Sequence, residues 1–231
     1  MDVSNDSNGL DNSAFENGGL NDAEAEFESD EEELTSDKAL QVLESAWLNE
    51  KFAPELLPHQ QLLVECMVQQ IKHMEENVQR LTKGDIRINI HTMEICRIRF
   101  IISSYLRKRL DKIEEFAVHL LKEDARRSPD EKYMTTAEAQ FARDYLTNIE
   151  KLFETVALQH MPQRCANFDL DAISMEPNLK KHVFARANKD IPTILISGVH
   201  EMEVSFAKGS QHIIQYSAIA HLVKDGSVQL I

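Results

Sequence analysis

The stretch ICRIRFIISSYLRKRLDKIEEFAVHL, Ile95–Leu120, decides the fold. Its apolar residues Ile95, Ile98, Ile102, Leu106, Leu110, Ile113, Ala117 and Leu120 recur at steps of three and four, the spacing of one face of an α-helix. The pattern extends from about His91 to Lys122, a helix roughly 48 Å long at 1.5 Å per residue. Between Ile95 and Leu106 almost every side is apolar, which predicts a helix covered by neighbours all round.

Helical spacing continues on both sides. Upstream, Thr35 or Ser36 can cap a helix carrying Leu40, Leu43 and Trp47, and Pro54 and Pro58 then punctuate the chain. From about Gln60 a second helix presents Leu63, Met67, Ile71, Met74, Val78 and Leu81, with Gly84 at its C-cap. Ile86, Ile88 and Ile90 alternate like a short extended piece. Downstream of the break at Ser128-Pro129-Asp130, Thr135 and Glu138 form a capping-box pattern opening a helix through Phe141, Tyr145, Ile149, Phe153 and Val156. Residues 35–161 therefore read as an N-terminal α-helical bundle domain.

Past Pro162 the texture changes. Residues 162–180 have no clear period and read as a linker. Residues 181–231 read as a small β-rich domain, with strands at His182–Ala187, Thr193–Ser197, Glu203–Phe206 and Gln211–Tyr216, and a tight turn at Gly209-Ser210. A short helix, Ala218–Lys224, closes at Gly226 before a last strand, Val228–Ile231. The expected class is thus α plus small β. About fifty residues are marginal alone, so this unit is expected to lean on another surface.

Charge is concentrated at one end. Residues 1–33 carry no basic residue and hold twelve carboxylates from Asp2 to Glu33, leaving 27 of the 39 acids against 25 bases in the body. The segment has Leu10, Phe15, Leu20 and Phe27 at no helical period, and it is expected to be a disordered acidic tail. It lacks the basic start and apolar run of a secretory signal, and no stretch approaches the ~18 apolar residues of a membrane span. Three separated cysteines, Cys66, Cys96 and Cys165, fit a reducing compartment better than a disulfide framework.

Enzymatic motifs are missing. His91 and Glu94 lie one turn apart near Cys96, but no His-Glu-x-x-His or Cys-x-x-Cys accompanies them, so no metal or other cofactor is expected. There is no Walker loop, Gly-x-Gly-x-x-Gly or Gly-x-Ser-x-Gly. Arg97, Arg99, Arg107, Lys108, Arg109 and Lys112 cluster within sixteen residues, yet the near-neutral body makes direct DNA binding an unpromising use of them. Ion pairs within the chain or across a protein interface are the better reading. Trp47 and Phe52 are either core residues or interface anchors.

The run Ala46-Trp47-Leu48-Asn49-Glu50-Lys51-Phe52-Ala53-Pro54-Glu55-Leu56-Leu57 and the block Ser103-Ser104-Tyr105-Leu106-Arg107-Lys108-Arg109-Leu110 add something more specific. Together with Gly209-Ser210-Gln211-His212 and Val228-Gln229-Leu230-Ile231, they resemble the Sld-five subunits of the GINS family. Gln215 and His221 depart from that pattern, where a basic residue and a proline would be expected. The resemblance implies a nuclear, non-catalytic scaffold of chromosomal replication. It implies a one-to-one heterotetramer with three sister GINS subunits, bridging the Cdc-forty-five protein and the Mcm ring. It also implies partner contacts at Trp47, Phe52, Arg97, Arg99, Tyr105, Arg107, Arg109, Ile113, Leu230 and Ile231. Three readings of the tail remain open: a solubilising segment, a kinase substrate at Ser29 before its run of acids, and a tether for a replisome adaptor. The competing class is a free-standing helical adaptor that binds partners transiently through its acidic tail.

Overall fold

The computed structural model describes residues 35–82, 84–128, 131–162, 174–196 and 202–231, with side chains of 193–196 and 202–203 left aside. The expected acidic tail, Cys165 and most of the expected linker lie outside the described residues.

Helix α1 spans Ser36–Phe52 and begins at Thr35, whose hydroxyl accepts from Lys38 N. Helix α2 covers Gln61–Arg80. It ends before Leu81, in extended conformation, so Gly84 is not its C-cap. Gly84 instead takes φ 98° in the turn to the next helix, a left-handed angle that a side chain would strain.

Helix α3 runs from Ile86 to Arg126. The expected extended piece at Ile86, Ile88 and Ile90 is its first turn. Asp85 overrides the alternation as an N-cap: its carboxylate accepts from Arg87 N at 2.9 Å and from the Arg87 guanidinium. Those bonds and that charge hold the Asp85 carboxyl below its usual value. The helix bends at Phe116, where φ is −114° and ψ 23°.

Helix α4, Thr136–Val156, opens with the expected capping box, Thr135 Oγ1 accepting from Glu138 N while Glu138 accepts from Thr135 N at 2.8 Å. Thr135→Ala should cost about 1 kcal/mol, read as a lower urea midpoint. A 3₁₀ turn, Leu158–His160, follows.

Five strands follow: β1 (His182–Ala187), β2 (Ile191–Ile196), β3 (Met202–Phe206), β4 (Gln211–Gln215) and β5 (Val228–Leu230), with α5 (Tyr216–Lys224) between the last two. They form two antiparallel sheets, one ordered β4-β1-β5 and the other a β2-β3 pair. The turn at Gly209-Ser210 is present, with Gly209 at φ 82°, but it hands the chain from one sheet to the other instead of closing a hairpin.

Three apolar clusters hold the described residues. Ala39, Leu43, Met67, Ile71, Ile95, Ile98 and Ile102 join α1, α2 and the first half of α3. Leu56, Ile113, Phe116, Leu120, Met134 and Ala142 join the second half of α3 to α4. Val183, Ala185, Tyr216, Ile219, Val228 and Leu230 pack the small sheet and α5 against Ala53 and Leu57. The segment after α1 therefore enters two cores at once: Leu56 turns toward the helices and its neighbour Leu57 toward the sheet.

Candidate interaction site

Buried charge fixes the middle of α3. Arg109 is 1% exposed and its fork grips Glu138 with two bonds, Nε to Oε1 at 2.7 Å and Nη2 to Oε2 at 3.0 Å. Nη1 donates to Glu50 Oε2 at 3.2 Å and to Leu57 O at 2.7 Å, and Nη2 donates to Tyr133 O at 2.7 Å. Lys112 completes the group, donating to Glu50 Oε1 at 2.6 Å and Glu55 O at 2.7 Å. Two cations and two carboxylates thus lie together, every charge facing an opposite one, as burial requires. Burial pushes the Glu138 carboxyl up, but the Arg109 hydrogen bonds and charge outweigh it and hold it below its ordinary value. Burial opposes the Arg109 charge too, yet its carboxylate partners keep the guanidinium protonated.

A second polar cluster ties the small sheet to the helices. Glu55 Oε1 accepts from Tyr216 Oη at 2.8 Å and pairs with Lys224 Nζ at 2.9 Å. Leu230 N donates to Asn49 Oδ1 at 2.8 Å. Burial, then the Glu55 charge and bond, push the Tyr216 phenol well up, so it stays a donor. Glu55→Ala should strand that buried hydroxyl at about 1–3 kcal/mol. Amide exchange should then quicken in β1 and β5 and stay unchanged in α2 and the first half of α3.

The residues singled out in the sequence divide into two groups. Tyr105, Arg109, Ile113 and Leu230 are buried within the chain, so the expectation that they face a partner is corrected: they support the fold from inside. Tyr105 Oη, for example, accepts from Gln60 N at 3.2 Å. Trp47 is half-buried, donating Nε1–H to Ser104 Oγ at 2.9 Å and meeting Phe100 edge-on with ring centroids 6.0 Å apart. Phe52 is exposed beside Lys51, whose Nζ lies 5.0 Å from its ring centre. Arg97 and Arg99 are exposed but engaged, Arg97 with Glu44 and Glu94 and Arg99 with Glu75. Arg107 is exposed, and Ile231 is half-buried. Sequence reasoning missed Glu50, Glu55 and Asn49 and did not separate Lys112 from the other α3 cations. Glu50 and Glu55 inside the run Trp47–Leu57, among its apolar residues, were the available signal.

This chain by itself covers Ile95–Leu106 on one side. Ile95, Ile98, Ile102, Tyr105 and Arg109 form an inner stripe, buried by the chain itself. The opposite side carries a second stripe at the same spacing: Ile86, Ile90, Met93, Arg97, Phe100, Ser104 and Arg107. Met93 is 73% exposed and Phe100 62%. Leu152, Val156 and Met161, in and just beyond the last turns of α4, are exposed as well. The exposed apolar members of the α3 stripe are Ile86, Ile90, Met93 and Phe100, a contiguous patch of the kind that marks an association surface. Among the described residues no group of three or more His, Cys, Asp or Glu could hold a metal ion, and no helix is long and apolar enough to cross a membrane.

Comparison with known proteins agrees with this architecture. Residues 65–157 match the model of the GINS complex protein helical bundle domain, and residues 177–231 match that of the DNA replication complex GINS protein SLD5 C-terminus. The chain is 44% identical over 209 residues to the DNA replication complex GINS protein SLD5 of Xenopus laevis, covering 88% of this chain and 95% of that protein. Its identity to the Homo sapiens protein of that name is 42%, over 88% of this chain and 93% of the relative. To the Arabidopsis thaliana one it is 28%, over 90% and 98%. The chain belongs to the SLD5 family of GINS proteins.

Proposed function

We propose that this chain is a non-catalytic structural subunit of the nuclear GINS complex. It assembles one-to-one with three sister subunits, and the complex holds Cdc45 and the Mcm ring together for the initiation and progress of DNA replication. The observation that carries this reading is the outer stripe of α3: Ile86, Ile90, Met93 and Phe100 stand in solvent on a helix packed from behind against α1 and α2 through Ile95, Ile98 and Ile102. A rigid helix with its outward stripe open is a docking element, and the second exposed set at Leu152, Val156 and Met161 offers a second contact. Residues 35–161 serve in this reading as the assembling helical domain and residues 181–231 as a small domain seated on it.

The α3 cations support protein contacts over DNA. Arg97, Arg99, Lys108, Arg109 and Lys112 each meet a carboxylate of this chain, so little unpaired charge is left for phosphates. Retention of Cdc45 and Mcm on immobilised complex, reconstituted with and without this chain, tests the scaffold role. Both partners should be lost when the chain is omitted. Equal retention without it would contradict the proposal.

A further inference from the structure

The three-stranded sheet has an inner face packed on α5, Ala53 and Leu57, and an outer face that no described element covers. Register places directly paired residues on one side, so Phe184 and Ile213 stand together on that outer face, 59% and 65% exposed. Ile231 N donates to Phe184 O at 3.1 Å, which continues the β1–β5 register one step and sets Ile231 on the other side of Phe184. An apolar row, Ile213–Phe184–Ile231, therefore crosses all three strands.

The rim of this row is polar and one-sided in charge. His182 and Gln215 flank it on one side, Arg186, Gln211 and Gln229 on the other. Arg186 makes no ion pair among the described residues, and the paired positions of this face hold no carboxylate side chain. An apolar centre inside a polar, cationic rim is the anatomy of a protein contact with an acidic partner.

We propose that this face docks an acidic amphipathic helix of a partner protein, laid across the strands. Two inter-strand steps span about 9.6 Å at ~4.8 Å each. Residues i and i+7 of a helix are about 10.5 Å apart at 1.5 Å per residue, with an anchor between them at i+3 or i+4. Three apolar anchors of one helix face thus meet Ile213, Phe184 and Ile231, and acids beside them meet Arg186 and His182. An extended chain, with same-side residues about 6.7 Å apart, fits the row less well. A single-stranded nucleic acid would use successive aromatic platforms, and this row offers one aromatic between two aliphatic residues.

The test is fluorescence anisotropy with the chain in its reconstituted GINS assembly. The probe is a labelled designed helix with leucines along one face and glutamates elsewhere; its counterpart carries lysines in place of the glutamates. Saturable binding of the acidic probe is expected, at least tenfold tighter than the basic one. Phe184→Ser and, independently, Ile213→Ser should each weaken it at least tenfold without changing the thermal melt, because both side chains are exposed. Arg186→Glu should remove the preference for the acidic probe. Failure of the acidic probe to bind, equal binding of the two probes, or insensitivity to both serine variants would overturn the proposal. So would Phe184-dependent binding of a labelled oligothymidylate, which would make the face a nucleic-acid platform.

Discussion

Arg109→Ala is expected to lower the stability of the chain by about 3–5 kcal/mol, the largest effect of any single change considered. The substitution leaves the buried Glu50 with only Lys112 and the nearly buried Glu138 with no cation, and it strands the carbonyls of Leu57 and Tyr133. Arg109→Lys should recover little, because one ammonium cannot reproduce a fork that bonds Glu138 twice and three other acceptors as well. Chemical unfolding followed by the fluorescence of Trp47, which bonds Ser104 of α3, would measure it. The pH profile supplies a second signature. Glu138 has a folded value below its ordinary 4.5, so the unfolded chain binds its proton more readily. Its contribution is complete above that ordinary value and is lost as pH falls through the lower folded one. Lys112 gives a slope of the same sign at higher pH: burial, outweighing Glu50, holds its ammonium below the usual value, so stability also rises as pH climbs from that folded value to the usual lysine one. Removing Arg109 should flatten the acidic limb most. An unchanged acid limb would mean that the buried cluster does not hold α3.

The second large effect is on assembly. The double substitution Ile90→Asp with Met93→Asp should weaken association with the sister subunits at least a hundredfold, about 2.7 kcal/mol. Each side chain would contribute roughly 1.5–3 kcal/mol if buried at an interface, and a carboxylate in its place would be desolvated without a partner. Both residues are exposed in the chain itself, so its own melting should hardly change. Co-purification of the variant with its sisters, quantified against the wild type, reads this directly. Normal assembly would move the interface away from the first half of α3.

Why were the helices so readable in the sequence, and their partners so much less so? Helix positions follow from spacing and caps, which are local: Thr35 and the Thr135–Glu138 box mark starts that the chain alone encodes. Asp85 was equally local but was masked by the alternating isoleucines after it. Which side of α3 turns inward is not local. Isoleucine stands on both the inner and the outer stripe, and only the packing of α1 and α2 on one side decides between them. Arg109 illustrates the same limit. In sequence it is one of six cations on a helix, and its burial depends on Glu50, 59 residues away, and Glu138, 29 residues away. The strands of the small sheet were legible at nearly correct bounds, yet their pairing was not, since β4 joins β1 across two intervening strands. Of the contact candidates, Arg97 and Arg107 fall on the outer stripe, whereas Tyr105 and Ile113 are carried inward by the helical phase.

The most direct measurement is the mass, by light scattering, of the soluble species formed by this chain alone and co-expressed with the three sister subunits. The expected result is a one-to-one heterotetramer, with the lone chain aggregating through its open α3 stripe. A well-behaved monomer that ignores its sisters would contradict the scaffold account and favour a free-standing adaptor.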